Sequence, residues 1–210
     1  MAKEHRPLAA LAVYLPPNTF EPIAAYLHQY KVQLTITRER TSILGNYRNA
    51  HRDKNHRITV NGNLNCYSFA ITLLHELAHL LTYEQYGHRV QSHGWEWKAK
   101  YAALLVQFLE KKAFPQDITN ELVQSLQNPA ASSCAEDGLM RILRRYDPPP
   151  PNNHLLIEEV PMFSLFRLKD GRIFKKGEKL RKRYRCEEVA TKKVYLFSPV
   201  YEVVLVAGSG

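Results

Sequence analysis

The stretch His75-Glu76-Leu77-Ala78-His79 decides how the rest of the chain is read. Its spacing, H-E-x-x-H, carries chemical meaning only on a helix. Four residues on a 3.6-residue turn return nearly to the same face, so His75 and His79 would point the same way and could hold one metal ion. Glu76 would then stand beside the first ligand, placed to take a proton from an attacking water. This is the signature of a zinc hydrolase. The surrounding residues favour a helix. Ser68-Phe69-Ala70-Ile71-Thr72-Leu73-Leu74 leads in, Leu77, Ala78, Leu80 and Leu81 continue the run, and no Pro or Gly interrupts Cys66 to Tyr86. Gly87 is a natural stop. A helix this apolar buries its ionisable groups, and buried ionisable groups need partners. One metal ion satisfies two histidines and a glutamate together.

A catalytic zinc takes three protein ligands and keeps one position open. The candidates for the third are Glu84, His88, His93 and Glu96. The single-helix pattern HExxHxxGxxH is excluded, because Thr82 and Gln85 stand where it needs glycine and histidine. His88 reads as a solvated loop residue between Gly87 and Arg89. His93 lies at the entry to the next apolar-periodic segment, and Gly94 after it permits close backbone approach. Two helices folded back through a short loop would bring His93 towards His75 and His79. Glu96, one turn on, is the main rival, as a ligand or as a carboxylate hydrogen-bonded to a ligand imidazole.

Outward from this centre, helical and extended patterns alternate. Asn18-Thr19-Phe20-Glu21 opens a helix running to about Tyr30. Val32 to Thr37, Thr41 to Tyr47 and Arg57 to Asn61 read as strands of a small antiparallel sheet before the metal helix. An extended peptide could add to an exposed edge of that sheet. Ser92 is a plausible cap for a helix from about His93 to Lys112, and two shorter helices are expected from Gln116 and from Ala135. Pro148 to Pro151 can be neither helix nor central strand and form a stiff linker with Asn152 and Asn153. Beyond it come short β runs, Met162 to Leu168, Arg172 to Phe174, Lys182 to Cys186, Val194 to Leu196 and Val200 to Val206. Asp170-Gly171 marks a tight hairpin. The expected organisation is a metal domain over residues 1–147, a linker over 148–153 and a small basic β module over 154–210.

The matching segments Leu34 to Thr37, Thr41 to Tyr47 with Gly45, Ile58-Thr59-Val60-Asn61, His75 to His79, and His93-Gly94-x-x-Trp97 resemble the SprT-like metalloproteases, which include the Spartan group. The resemblance covers about residues 20–110. It implies an α+β, minimal zincin-like fold with an open, shallow cleft. Carried over position by position, it implies zinc ligation by His75, His79 and His93, and Glu76 as general base. Many members of the family end in a zinc ribbon with paired cysteines. This chain has only Cys186 in its C-terminal module, so the resemblance does not extend to a second zinc.

Composition bounds the rest. The 210 residues are 45% hydrophobic and 23% charged, with no apolar run long enough to cross a membrane. Leu8 to Leu15 is short and ends at Pro16-Pro17 without a small-residue cleavage site, so no secretory signal is expected. Cys66, Cys134 and Cys186 are few and widely spaced, which suits a reducing, cytoplasmic setting without a disulfide framework. The net charge of +9 favours polyanionic partners. It concentrates late: Phe163 to Lys193 holds 12 Lys and Arg against 4 Asp and Glu. Lys175, Lys176, Lys179, Arg181, Lys182, Arg183 and Arg185 could meet nucleic-acid phosphates, and Tyr184 among them could stack on a base.

The function expected is therefore a zinc-dependent endopeptidase with a protein substrate, one that could act on DNA-associated proteins. Tyr83, Tyr86, Tyr101 and backbone amides are candidates for stabilising the oxyanion. The alternative is a nucleic-acid-binding or adaptor protein whose zinc site is structural or idle. A hydrolase of small amides is a third class. Glu76 weighs against a purely structural zinc, which needs no base.

Overall fold

The computed structural model describes residues 8–40, 43–52, 54–126, 136–150 and 153–206. The chain divides into two compact units, Met1–Tyr146 and Asp147–Gly210. The division falls immediately before the proline run. The architecture is α+β, a small sheet with helices followed by a β module.

In the first unit, a 3-10 helix, Leu8–Tyr14, precedes α1 (Phe20–Gln29). The strands β1 (Gln33–Thr37), β2 (Gly45–Arg48) and β3 (Arg57–Asn61) follow. Then come α2 (Cys66–Tyr86), α3 (Trp95–Glu110), α4 (Gln116–Ser125) and α5 (Asp137–Arg144). The central element is α2, and thirteen of its residues are buried. Phe69, Leu73, Leu74 and Leu77 share one core with Ile23 and Leu27 of α1, Ile58 and Val60 of β3, Trp97, Leu105 and Phe108 of α3, Ile118 of α4 and Leu143 of α5. A helix enclosed on all sides shows little amphipathic periodicity, which explains why its sequence is apolar almost without break. Its ends are well specified. The Asn65 side chain accepts the Ser68 amide as N-cap, and Gly87 at φ 62 ends the helix.

The sheet differs from the antiparallel one expected. Its order is β1-β3-β2, with β1 and β3 parallel and only β2 antiparallel to β3. The segment after β1 crosses past β3 before turning back, so β2 lies at one edge of the sheet and β1 at the other. Arg40 and Asn61 hold that crossing. Arg40 donates from Nε to Asn61 Oδ1 (2.7 Å), from Nη1 to Thr59 Oγ1 (3.0 Å) and from Nη2 to the Leu44 carbonyl (3.3 Å). The Asn61 amide returns hydrogen bonds to the Arg40 and Ile43 carbonyls. Thr41 and Ser42, expected as the start of the second strand, lie outside the described residues, as do Cys134 and Ala135.

The second unit is a six-stranded antiparallel sheet of order β4-β9-β5-β6-β7-β8. Its strands are β4 (His154–Leu156), β5 (Leu165–Arg167), β6 (Ile173–Leu180), β7 (Arg183–Glu188), β8 (Val194–Phe197) and β9 (Glu202–Leu205). Its core is Ile157, Val160, Phe166, Leu168, Phe174, Cys186 and Val203. Asp170-Gly171 makes the expected turn, with Gly171 at φ 89. The strand β4 carries no alternation that would mark it in sequence, and β6 extends well past Phe174 through the basic residues.

Candidate metal centre

The 21-residue helix α2 is unbroken through the motif, so His75 and His79 lie one turn apart on one face. The chain then turns back at Gly87. The Gly94 amide donates to the Gln91 carbonyl (3.0 Å) and α3 begins at Trp95, with Gly94 as its N-cap and no side-chain cap bond. Ser92 is therefore not the cap. It lies within that turn, two residues before Gly94. A Cβ at Gly94 would lie 3.3 Å from the Gln91 carbonyl oxygen, so the backbone of this turn passes close to that position.

The result is a convergence of three imidazoles. The Nε2 atoms of His79 and His93 lie 3.3 and 3.4 Å from Nε2 of His75. Among the described residues, His75, His79 and His93 form the one group of three or more His, Cys, Asp or Glu side chains that could hold a metal ion. Glu96 is not in it. Two nitrogens bound at about 2.0–2.1 Å to a tetrahedral ion lie roughly 3.3 Å apart. The observed spacings fit that value. Burial lowers the pKa of His75 to about 3 and of His79 to about 4, reinforced by the neighbouring imidazoles, and lowers that of His93. The rings are thus neutral at physiological pH, with lone pairs available. Three converging imidazole nitrogens suit a divalent transition metal ion, zinc among them.

Trp97, fully buried, forms the floor of the cluster. Its ring centroid is 4.6 Å from that of His75, 5.3 Å from His79 and 4.7 Å from His93. Tyr101 stacks on Trp97 at 5.0 Å and meets His75 edge-on at 5.5 Å. Nδ1 of His75 is buried and has no hydrogen-bond partner among the described residues. That ring is therefore oriented by aromatic packing rather than by a carboxylate. Trp97 stands four residues after His93, one helical turn on, and that spacing is the sequence signal for its role. Tyr101 is engaged in packing rather than facing an oxyanion.

Glu76 is 5% exposed and lies against β2. A Cβ at Gly45 would fall 2.6 Å from Glu76 Oε1 and 2.7 Å from Thr72 Cγ2, so only glycine lets the strand pass this close. Burial raises the Glu76 pKa to about 8, while a hydrogen bond from the Tyr47 backbone amide and the Arg40 charge act in the opposite direction. In the metal-free site, burial thus holds the Glu76 carboxyl well above the ordinary carboxylate range. Tyr47 also lays its ring parallel to that of His79, with centroids 6.4 Å apart. Arg40, Tyr47 and His56 carry no local pattern that singles them out: Tyr47 is placed by the antiparallel β2–β3 pairing, Arg40 by its bonds to Asn61, Thr59 and Leu44, and His56 by its bond with Tyr47.

The basic residues of the second unit fall into two groups. Lys175, Lys179, Arg181, Lys182, Arg183 and Arg185 are exposed on or beside the β6–β7 hairpin. Lys176 is not a surface cation. It is 3% exposed, and its Nζ donates to the carbonyls of Val160 (2.5 Å) and Glu158 (3.2 Å) and sits 4.3 Å from the centre of the Tyr184 ring. Strand pleating separates Tyr184 from its sequence neighbours. Arg183 and Arg185 share one face of β7, and Tyr184 lies on the other beneath Lys176 and Lys179. The interleaving seen in sequence is therefore not an interleaving in space.

A metal-motif helix, a third histidine from the entry of the next helix and a carboxylate held against an edge strand are the parts of a metalloprotease-type domain. Residues 19–119 match the model of the SprT-like family. No curated protein and no solved structure matches the chain. No helix among the described residues is long and apolar enough to cross a membrane.

Proposed function

We propose that this protein is a zinc-dependent endopeptidase of SprT-like type. The observation that carries the reading is three Nε2 atoms at metal-ligand spacing beside a buried carboxylate fixed by an edge strand. A zinc ion held by His75, His79 and His93 supplies Lewis-acid polarisation of a peptide carbonyl and a water acidic enough to react near neutral pH. Glu76 takes the proton of the attacking water on its carboxylate and delivers it to the leaving amine. Gly45 and the Tyr47 amide set where that carboxylate stands. The free edge of β2 gives an extended substrate chain backbone groups to pair with.

The test is cleavage of an unfolded protein by zinc-loaded wild type and Glu76→Gln, with and without single-stranded DNA. The variant keeps its zinc and loses roughly 10²–10⁴-fold in rate. Unchanged cleavage would overturn the reading in favour of an adaptor with an idle metal. The exposed cations of the β6–β7 hairpin favour recruitment to DNA as a second element of the proposal. It requires weak, sequence-independent binding that falls steeply with salt. Binding that is flat between low and physiological salt contradicts it.

A further inference from the structure

Beside the metal cluster lies an open cleft of about 230 Å³, with His79 in its wall. It is lined by Tyr47 and Asn49 from the edge-strand side, by Tyr83 from the last turns of α2, and by His88, Gln91 and Ser92 from the turn that carries His93. No Asp, Glu, Lys or Arg lines it. A charged side chain entering it would lose water without gaining an ionic partner from the lining side chains, which is costly.

Its hydrogen-bonding groups are partly engaged elsewhere. The Ala50 amide donates to Nδ1 of His56 (3.2 Å), so the ring proton of His56 is on Nε2, 3.2 Å from Glu84 Oε1. The Tyr47 hydroxyl therefore donates to His56 Nδ1 (2.9 Å) and the cleft receives the Tyr47 ring rather than its hydroxyl. The Thr82 hydroxyl is likewise engaged, with the Ala78 carbonyl (2.7 Å). What remains is ring surface from Tyr47, Tyr83 and His88 beside the polar side chains of Asn49, Gln91 and Ser92. Tyr47 and Tyr83 stand 6.4 Å apart at 55°, and Tyr83 meets His88 edge-on at 5.1 Å. Such a frame accepts one more ring in the offset or edge-on arrangements that aromatic groups prefer.

We propose that this cleft is the subsite for a bulky uncharged side chain, aromatic before aliphatic, of the substrate residue beside the cleaved bond. The inference rests on the peptidase reading for its location, and adds the substrate class. Glu84 and His56 serve as positioning residues that hold the Tyr47 wall.

The test separates binding from turnover. Zinc-loaded Glu76→Gln protein is titrated, by fluorescence anisotropy, with labelled peptides identical except for Phe, Gly, Asp or Lys placed in turn at each of three central positions. At one position the Phe peptide binds tighter than the Gly peptide by about fivefold, as expected for partial burial of a ring in an open cleft, and the Asp and Lys peptides bind no tighter than Gly. Tyr83→Ala removes the Phe advantage and leaves the Gly peptide within about twofold, while Tyr83→Phe keeps the advantage. Equal affinity for Phe and Gly at all positions, or a Phe advantage indifferent to Tyr83→Ala, overturns the proposal. The two readings fail differently. Wild type that cleaves every peptide without preference contradicts the subsite alone, whereas a Phe preference in binding with no cleavage by wild type supports the subsite and contradicts the peptidase.

Discussion

Each unit of the molecule buries ionisable side chains, and the two solve the problem in opposite ways. In the β module, Lys176 is 3% exposed but fully provided for, with two carbonyls and a tyrosine ring around its ammonium. In the helical unit, three imidazole nitrogens face one another with no protein group between them, and the neighbouring carboxyl is held near neutrality by burial. A buried charge that the fold satisfies internally is a structural pin. Buried ligand atoms that converge on one another and are satisfied by nothing in the chain define a site. A buried ionisable side chain has thus two meanings that only the surroundings separate.

The largest effect that could break this comparison is removal of the aromatic floor. Trp97→Ala is expected to cost about 3–5 kcal/mol in denaturant unfolding, and to weaken zinc binding with it. Phe174→Ala makes a comparable cavity in the β module, and zinc affinity should be unchanged. Zinc binding that survives Trp97→Ala intact would show that the histidines are placed without their floor.

Lys176→Met tests the other side. It leaves the Val160 and Glu158 carbonyls without their donor and should destabilise by about 1–3 kcal/mol. Polyanion affinity should not move, since this lysine never reaches the surface. A loss of DNA binding equal to that of Lys175→Ala would contradict its placement.

Acidity separates the two units next. In metal-free protein, Glu76 holds a proton in the fold up to about pH 8 that the unfolded chain releases near its ordinary 4.5, so stability falls as pH rises across that window. His75 and His79, with folded pKa values of about 3 and 4, act the other way, and stability is lost as pH falls below 6.5. Two histidines outweigh one carboxyl below 6.5, so thermal stability should peak near pH 6.5 and decline above it by up to about 1.4 kcal/mol per pH unit. Glu76→Gln should flatten the upper limb and steepen the lower one between about pH 4.5 and 6.5. The smallest effect belongs to the exposed hairpin. Arg183→Ala and Arg185→Ala should each lower the slope of DNA affinity against salt by roughly 0.7–0.9 while leaving unfolding within about 0.5 kcal/mol of wild type.

The differences between the units also explain what could be read from the sequence. His75, Glu76 and His79 lie within one helical turn, so their relation is local and their spacing states it. His93 needed only one further assumption, a short return between two helices, and Gly94 advertised the tight turn. Trp97 follows at helical spacing. By contrast, Gly45 and Tyr47 meet Glu76 from β2, which pairs antiparallel with β3, and Arg40 is held by Asn61 and Thr59, 21 and 19 residues on, relations that no periodicity encodes. The basic run misled for a related reason. Along Lys175 to Arg185 the charge looks uniform, but the pleat alternates faces and the register shifts between Lys176 and Lys179, which puts Lys176 inside and sets Tyr184 apart from the arginines beside it.

The ligand set itself is tested most directly by calorimetric zinc titration of wild type beside His93→Ala and Glu96→Ala. The account predicts one tight site in wild type, a loss of affinity of at least about 100-fold in His93→Ala, and binding within about threefold of wild type in Glu96→Ala. Wild type that binds no zinc tightly, or a His93→Ala protein that binds it as well as wild type, would contradict it.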